Sequence, residues 1–387
     1  MKKNRRFSSL LNLALTIVAY VVIKLVLGAM GGNRAITNLL TQVCYNIIMV
    51  ASLNLVAGVL GELTLGHAGF MAVGAYGSAI FTSLILPNQP WTFPMALIVG
   101  GLAAALFAYL VGVPALRLQG DYLAIITLGF GEIIRVLINT VFAPWTGGGK
   151  KMFGIGLYTN FDNAFWIMFL TVAIFYMLAW SRHGRAILAI RENAVAADTA
   201  GVPVTKYKTI TFVIAGFFAG IAGGLYAHSV GVLDPTKFDY NTSINFLVMA
   251  VFGGLGSYTG SIAAATLLTV VQFLMSSLVE YRQLAYALLL IVMMIFKPSG
   301  LLGVKEFSSE RLLEKIIPGW KGFADKMEKK LQRRKMRAIA PDIPEYDYDS
   351  EKYPVLAMKN LGIRFGGLHA AEDVNLAIYE HEIVGLI

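Results

Sequence analysis

Charge is scarce in this sequence. Only 14% of its 387 residues are Asp, Glu, Lys or Arg, while 57% are hydrophobic. That balance excludes a disordered chain and is too apolar for an ordinary soluble domain. Cysteine is scarcer still. Cys44 stands alone, which excludes a disulfide framework and a cysteine-ligated metal. Within its apolar run it reads as a small buried residue. The five histidines fall at no catalytic or metal spacing, which counts against a membrane-embedded enzyme. The long apolar runs lack strict alternation with polar residues, which excludes a membrane β-barrel. No small-x-small cleavage pattern follows the first apolar run. Lys2-Lys3-Asn4-Arg5-Arg6 and the run from Phe7 to Ile23 therefore read as an uncleaved first span, not a signal peptide.

What remains is hydrophobic length. The mean hydropathy is +0.65, and several windows reach the ~20 apolar residues that a bilayer-crossing helix needs. Only helices or closed barrels satisfy backbone groups in lipid. The expected fold is an all-α polytopic membrane protein with about 8–10 transmembrane helices. Its spans fall near 8–30, 35–60, 67–86, 93–113, 121–142, 165–180, 209–233, 244–257, 260–279 and 283–296. Tyr240 to Val279 is forty residues without a charge, long enough for two short crossings. Ten spans put both termini on one side. That side carries ten Lys/Arg in short segments: four in 1–8, Arg117, and five in 181–208. The other side carries five: Arg34, Lys150, Lys151, Lys237 and Arg282. The bias makes the first side cytoplasmic and the location the cytoplasmic (inner) membrane. Lys24, inside the first span, is expected to snorkel to the far interface. The net charge of +9 sits at helix ends and in one tail, where it meets anionic membrane lipid and implies no nucleic acid.

One charged, helix-patterned run interrupts the spans. Ser181 to Lys208 holds Arg182, Arg185, Arg191, Lys206 and Lys208 against Glu192 and Asp198. Gly184 and Gly201 bracket a segment in which Ile187, Leu188, Ala194 and Ala197 recur at helical spacing. An amphipathic helix that leaves the membrane and returns is a docking element, or else a solvated helix lying on lipid. Gly216, Gly220 and Gly224 lie one turn apart, a spacing that lets helices approach closely and says "tight bundle", not a substrate. Two glycine-interrupted stretches, Asn54 to Gly77 and Val251 to Ala265, suggest unwound backbone. Such breaks either line a pathway or turn tightly. The candidate pathway residues are Glu62, His67, Glu132, Arg135, Gly253, Gly254 and Gly256. For Glu62 and His67 a structural role at the cytoplasmic interface is the stronger reading. Glu132 and Arg135 share a helix face at i,i+3 and read first as a structural pair. Arg117 and Asp121 read as an interface pair.

Composition changes after Lys297-Pro298-Ser299-Gly300. Glu310 to Arg337 holds ten Lys/Arg and four Asp/Glu, a basic segment suited to the membrane surface. An acidic, proline-bearing linker follows. The expected domains are a transmembrane domain over 1–305, this segment and linker over 306–353, and a fragment over 354–387. Val355 to Phe365 reads as a strand, Gly366-Gly367 as a turn, Val374 to Ile378 as an alternating strand and Ile383 to Ile387 as a buried strand. About thirty residues are too few for a core, so the fragment reads as an α/β domain cut short.

The order of these stretches resembles the membrane-spanning permease of branched-chain amino acid ABC importers over about residues 35–305. SLNLVAGVLGELTLGHAGFMAVGAY, DYLAIITLGFGEIIRVLINT, GRAILAIRENAVAADTAGV, FFAGIAGGLYA, VFGGLGSYTGS and FKPSGLLG carry it. The resemblance implies that 181–208 is the loop on which a cytoplasmic ATPase docks, through Arg185, Arg191, Glu192, Ala197 and Gly201. In the E-A-A-x-x-x-G element of such loops, Val195 stands where the glutamate would be. Met358 to Ile387 resembles the opening of an ABC ATPase of the same class, with Phe365 at the adenine-stacking position and His381 in place of a usual glycine. A Walker A loop, G-x-x-x-x-G-K-S/T, is expected at the next residue. Without it this chain is not expected to hydrolyse ATP. The implied protein is thus a transport subunit and not an enzyme, binding no cofactor itself. ATP and Mg would be used by partner ATPases or a completed ATPase domain. A second permease and an extracytoplasmic substrate-binding protein complete the expected assembly. The implied cargo is a branched-chain or other hydrophobic amino acid. A sugar, urea or another small solute is the close alternative, and an ion-driven secondary transporter the distant one.

Overall fold

The computed structural model of the protein describes residues 33–85, 90–118, 120–275, 300–301, 356–365 and 368–379, with scattered positions of 16–28 and 287–295. The expected spans 8–30 and 283–296 fall largely outside the described residues. The basic segment, the acidic linker and the strand Ile383 to Ile387 lie wholly outside them. The chain divides into two compact units, Met1–Pro318 and Gly319–Ile387.

In the first unit the apolar runs are helices: α1 Arg34–Asn54, α2 His67–Ile80, α3 Phe93–Ala115, α4 Asp121–Asn139 and α5 Phe161–Ala179. They continue with α6 Arg182–Glu192, α7 Ala194–Thr199, α8 Val204–Val230, α9 Tyr240–Gly253 and α10 Tyr258–Leu274. Five stretches among the described residues are long and apolar enough to cross a membrane: Arg34–Leu60, His67–Ile85, Phe93–Ala115, Phe161–Ala179 and Val204–Val230. A sixth counts if α4 and the stretch Ala143–Lys150, bent by 73°, form one span. Ten full crossings are therefore not seen among the described residues. The two short crossings expected in Tyr240 to Val279 are α9 and α10. At 14 residues and ~1.5 Å per residue, α9 spans only about 21 Å, well short of a ~30 Å hydrocarbon core.

The centre of the bundle is α1, which packs against α5, α8, α9 and α10. From Val43 to Leu60 every residue is buried, and residues 55–60 widen into a π-helical turn. Glycine sets how close the neighbours come. A methyl group on Gly74 of α2 would enter the Gly220 backbone of α8, and one on Gly220 would meet Ala104 Cβ of α3 at 2.5 Å. One on Gly224 would lie 2.6 Å from Leu97 Cδ2. The Gly216, Gly220 and Gly224 stripe is thus the seam where α8 meets α2 and α3, the packing role its spacing suggested. Opposite that seam, α3 presents Met95, Leu102, Leu106, Tyr109, Leu110 and Val113 outward, a column suited to lipid. Cys44 is 3% exposed, a small buried residue.

Charges close the helix ends. Lys24 pairs with Asp162, at the start of α5, at 2.7 Å. Arg117 and Asp121 form no ion pair among the described residues. Asp121 sits instead in the first turn of α4, where the helix dipole favours a carboxylate. The segment between α8 and α9 meets the one between α4 and α5: Leu233 forms a β-bridge with Met152, and Asp234 pairs with Lys151 at 3.1 Å. The Thr236 hydroxyl, then its N–H and Lys151, hold the Asp234 carboxyl down at about 2 against partial burial.

The second unit contains a hairpin, β1 Leu356–Phe365 paired antiparallel with β2 Leu368–Ile378. Asn360 takes φ 53°, and its N–H donates to Asn375 Oδ1 at 2.9 Å, where the register slips. The second strand begins at Leu368, earlier than the alternating run from Val374 suggested.

Candidate functional site

The interrupted stretches and the charged loop meet at one end of the bundle. The loop is two helices, not the single one expected. Ser181 caps α6, its Oγ accepting from Gly184 N–H at 3.1 Å. Asn193 then takes an extended conformation and caps α7, accepting from Ala196 N–H at 3.0 Å. Asparagine competes for backbone donors in this way, which is why the helical pattern breaks there.

From α6, Arg191 reaches into the bundle. Its Nη1 donates to the Gly58 carbonyl, in the π turn, at 2.8 Å, while Nη2 pairs with Glu192 at 3.1 Å. Its stem crosses Gly61, where φ is +83° and a methyl group would lie 2.6 Å from Arg191 Cγ. Only glycine meets both demands without strain. A methyl group on Gly256 would lie 3.3 Å from Arg191 Nη1, so the same guanidinium borders the second interrupted stretch.

That second stretch is the turn between α9 and α10. Gly254 and Gly256 have φ +106° and +90°, which turns the chain back on itself within five residues. Asn54, fully buried at the end of α1, holds the turn. Its Oδ1 accepts from Gly256 N–H at 2.8 Å, and its Nδ2 donates to Ser257 O at 3.0 Å and Ser261 Oγ at 2.8 Å. Gly58 and Gly256 lie backbone to backbone beside it. Leu301 N–H closes the turn from behind, donating to Phe252 O at 2.8 Å.

Glu62 pairs with Lys208 of α8, both side chains largely buried at 13% and 10% exposure. The unwound stretch 61–66 is capped by hydroxyls from other helices. Leu65 N–H donates to Thr127 Oγ1 of α4, and Ala68 N–H to Ser243 Oγ of α9, both at 3.1 Å. His67 is 1% exposed and lies 3.0 Å from Ser52 Oγ. The Ser52 hydroxyl donates to Met49 O at 2.8 Å, so His67 Nε2 is the donor to Ser52. Glu132 divides its carboxylate. Oε2 takes Arg135 at 2.7 Å, and Oε1 accepts from Tyr240 N–H, the first of α9, at 2.9 Å. Among the described residues no group of three or more His, Cys, Asp and Glu could hold a metal ion.

A family model described as "Branched-chain amino acid transport system / permease component" matches residues 35–297. The chain belongs to that permease family. The match spans α1 to α10, and with them both interrupted stretches and the charged loop. The permease is 34% identical over 303 residues to the high-affinity branched-chain amino acid transport system permease protein LivM of Salmonella typhimurium, covering 70% of each chain. It is 35% identical to the Escherichia coli LivM over the same length and shares. To the E. coli permease protein LivH it is 25% identical over 277 residues, 65% of this chain and 89% of that one. No solved structure matches it significantly.

The permease brings only some of the candidate residues together. Arg191, Glu192, Gly254 and Gly256 share the junction just described, with Glu62 on the stretch that leads out of it. His67 lies beyond that stretch, and Glu132 with Arg135 lies at the start of α9. Arg185, Glu192 and Gly201 are exposed, whereas Ala197 is 5% exposed and packs into the core. Gly253 packs on Gly260 within the turn. Phe365 ends β1, backbone-paired with Leu368. Sequence reasoning missed Asn54, Lys208, Ser257 and Ser261. Asn54 carried a usable signal, an amide inside a long apolar run, because such groups are bonded when buried.

The Glu62–Lys208 pair yields a direct test. Glu62→Gln alone leaves Lys208 buried and unpaired and costs about 3 kcal/mol, whereas Glu62→Gln with Lys208→Met recovers most of that. Thermal unfolding of the single and double variants in detergent measures it. Equal loss in both contradicts the pairing.

Proposed function

We propose that this permease is one membrane half of an ATP-driven importer that carries branched-chain or other hydrophobic amino acids across the cytoplasmic membrane. The observation that supports this most is the reach of Arg191 from the loop helix α6 to Gly58 and Gly256, on both interrupted stretches. A loop that only floated on the membrane surface would need no such grip. In this reading a cytoplasmic ATPase docks on the outward face of α6 and α7, where Arg185, Glu192 and Gly201 are exposed. Val195, 74% exposed at the position of the missing glutamate, supplies an apolar contact there. Ala197 faces inward and positions α7. Closure of two such ATPases on ATP and Mg moves the loop, and Arg191 passes the movement to the π turn and the glycine turn. The chain binds no cofactor itself.

The similarity to both LivM and LivH, each named a permease protein of a branched-chain amino acid transport system, supports pairing with a second, homologous permease. An extracytoplasmic binding protein then delivers the substrate, with both termini in the cytoplasm. The hairpin Leu356 to Ile378 supports reading the tail as part of an ABC ATPase domain, in which Phe365 would stack on adenine.

Cargo is tested by competition in a strain complemented with this permease and its partners. Unlabelled leucine, isoleucine and valine should each suppress labelled leucine uptake, and ribose and urea should not. Competition by ribose or urea instead overturns the cargo assignment.

A further inference from the structure

Away from that junction, a groove of about 660 Å³ lies between the end of α3 and the beginning of α8. Its wall combines two chemistries. Tyr109, Val113 and Ile210 are exposed apolar side chains, and the first two continue the outward column of α3. Asp198, Thr205 and Lys206 line the other part. Asp198 and Lys206 are exposed, and neither side chain forms an ion pair among the described residues. Thr205 and Lys206 belong to the first turn of α8, whose N-cap Pro203 offers no side-chain cap. The leading N–H groups of a helix lack intrahelical partners and favour an anionic oxygen.

We propose that this groove holds the headgroup of a zwitterionic, primary-amine phospholipid, phosphatidylethanolamine. The phosphate meets Lys206 and the first turn of α8. The ammonium meets Asp198. The acyl chains run onto Tyr109 and Val113 and down the apolar column of α3. Each alternative occupant fits less of the wall. A soluble phosphate leaves the apolar part bare. An anionic lipid such as phosphatidylglycerol brings no positive charge to Asp198 and places its own negative charge beside it. Asp198 lies on α7, so a seated lipid ties the charged loop to the bilayer. The inference stands on the groove alone and does not depend on what the permease carries.

Native mass spectrometry of the full chain in its complex tests this, with phosphatidylethanolamine and phosphatidylglycerol offered in equal amounts. The wild type should retain phosphatidylethanolamine about tenfold over phosphatidylglycerol, and Lys206→Gln should lower that retention about tenfold. Asp198→Asn should erase the preference between the two lipids. Unchanged retention in both variants, or preference for phosphatidylglycerol in the wild type, overturns the proposal. Both substitutions are on the surface and should leave thermal unfolding unchanged. In intact membranes, without purification, a photoreactive phosphatidylethanolamine should label the peptide containing residues 203–210 in the wild type but not in Lys206→Gln. Equal labelling of the two would also overturn it.

Discussion

Arg191→Glu cuts leucine uptake by about tenfold or more while ATP hydrolysis by the assembled complex continues. A charge-assisted hydrogen bond contributes about 1.5–3 kcal/mol, roughly ten- to a hundredfold in an equilibrium. Reversal does more than delete it. It sets a carboxylate against the Gly58 carbonyl and against Glu192. Arg191→Lys keeps the charge but loses the fork that reaches Gly58 and Glu192 at once, so an intermediate loss is expected. Parallel assays of uptake and ATP hydrolysis in proteoliposomes separate the outcomes. Unchanged uptake in Arg191→Glu removes the argument for coupling through this residue. A parallel loss of both activities points to failed assembly instead.

Gly74→Val removes most of the folded permease. A β-carbon on Gly74 would enter the Gly220 backbone, and backbone cannot step aside as a side chain can. Overpacking costs about 1–3 kcal/mol for a modest insertion. Valine adds two methyl groups beyond that β-carbon. Gly74→Ala should therefore already lower stability by more than that amount, and Gly74→Val should leave little monodisperse protein in detergent. Gly129→Ala is the control, since nothing lies within 4 Å of a β-carbon there. It should be neutral or gain up to ~1 kcal/mol from helix propensity. Fluorescence-detected size exclusion with a thermal ramp reads all three, and a stable Gly74→Val would contradict the seam.

Hydropathy alone located α1, α2, α3 and α8, because uninterrupted apolar length is a local signal. It could not measure depth. Tyr240 to Gly253 is as uncharged as a full crossing, and only contacts with Glu132 and Ala68 reveal where α9 starts. The junction was half legible. Glycines flagged both interrupted stretches, and the charges flagged the loop. What joins them was hidden, since Arg191 meets a backbone carbonyl 133 residues away and no side chain at that position could announce it. Likewise Glu62 and Lys208 sit 146 residues apart, each with nearer charges of opposite sign. Asn193, the cap that splits the loop into α6 and α7, was not seen, because the apolar spacing across it favoured one continuous helix.

The glycine seam has a mechanical consequence. Where Gly74 of α2 faces Gly220 of α8, backbone meets backbone with no side chain between to repack, so sliding or tilting one helix against the other meets hard contact at once. That contact locks α2 to α8. The π turn after α1 and the glycine turn between α9 and α10 meet in the same way at Gly58 and Gly256, so a displacement of either turn, both bordered by Arg191, would carry the other with it.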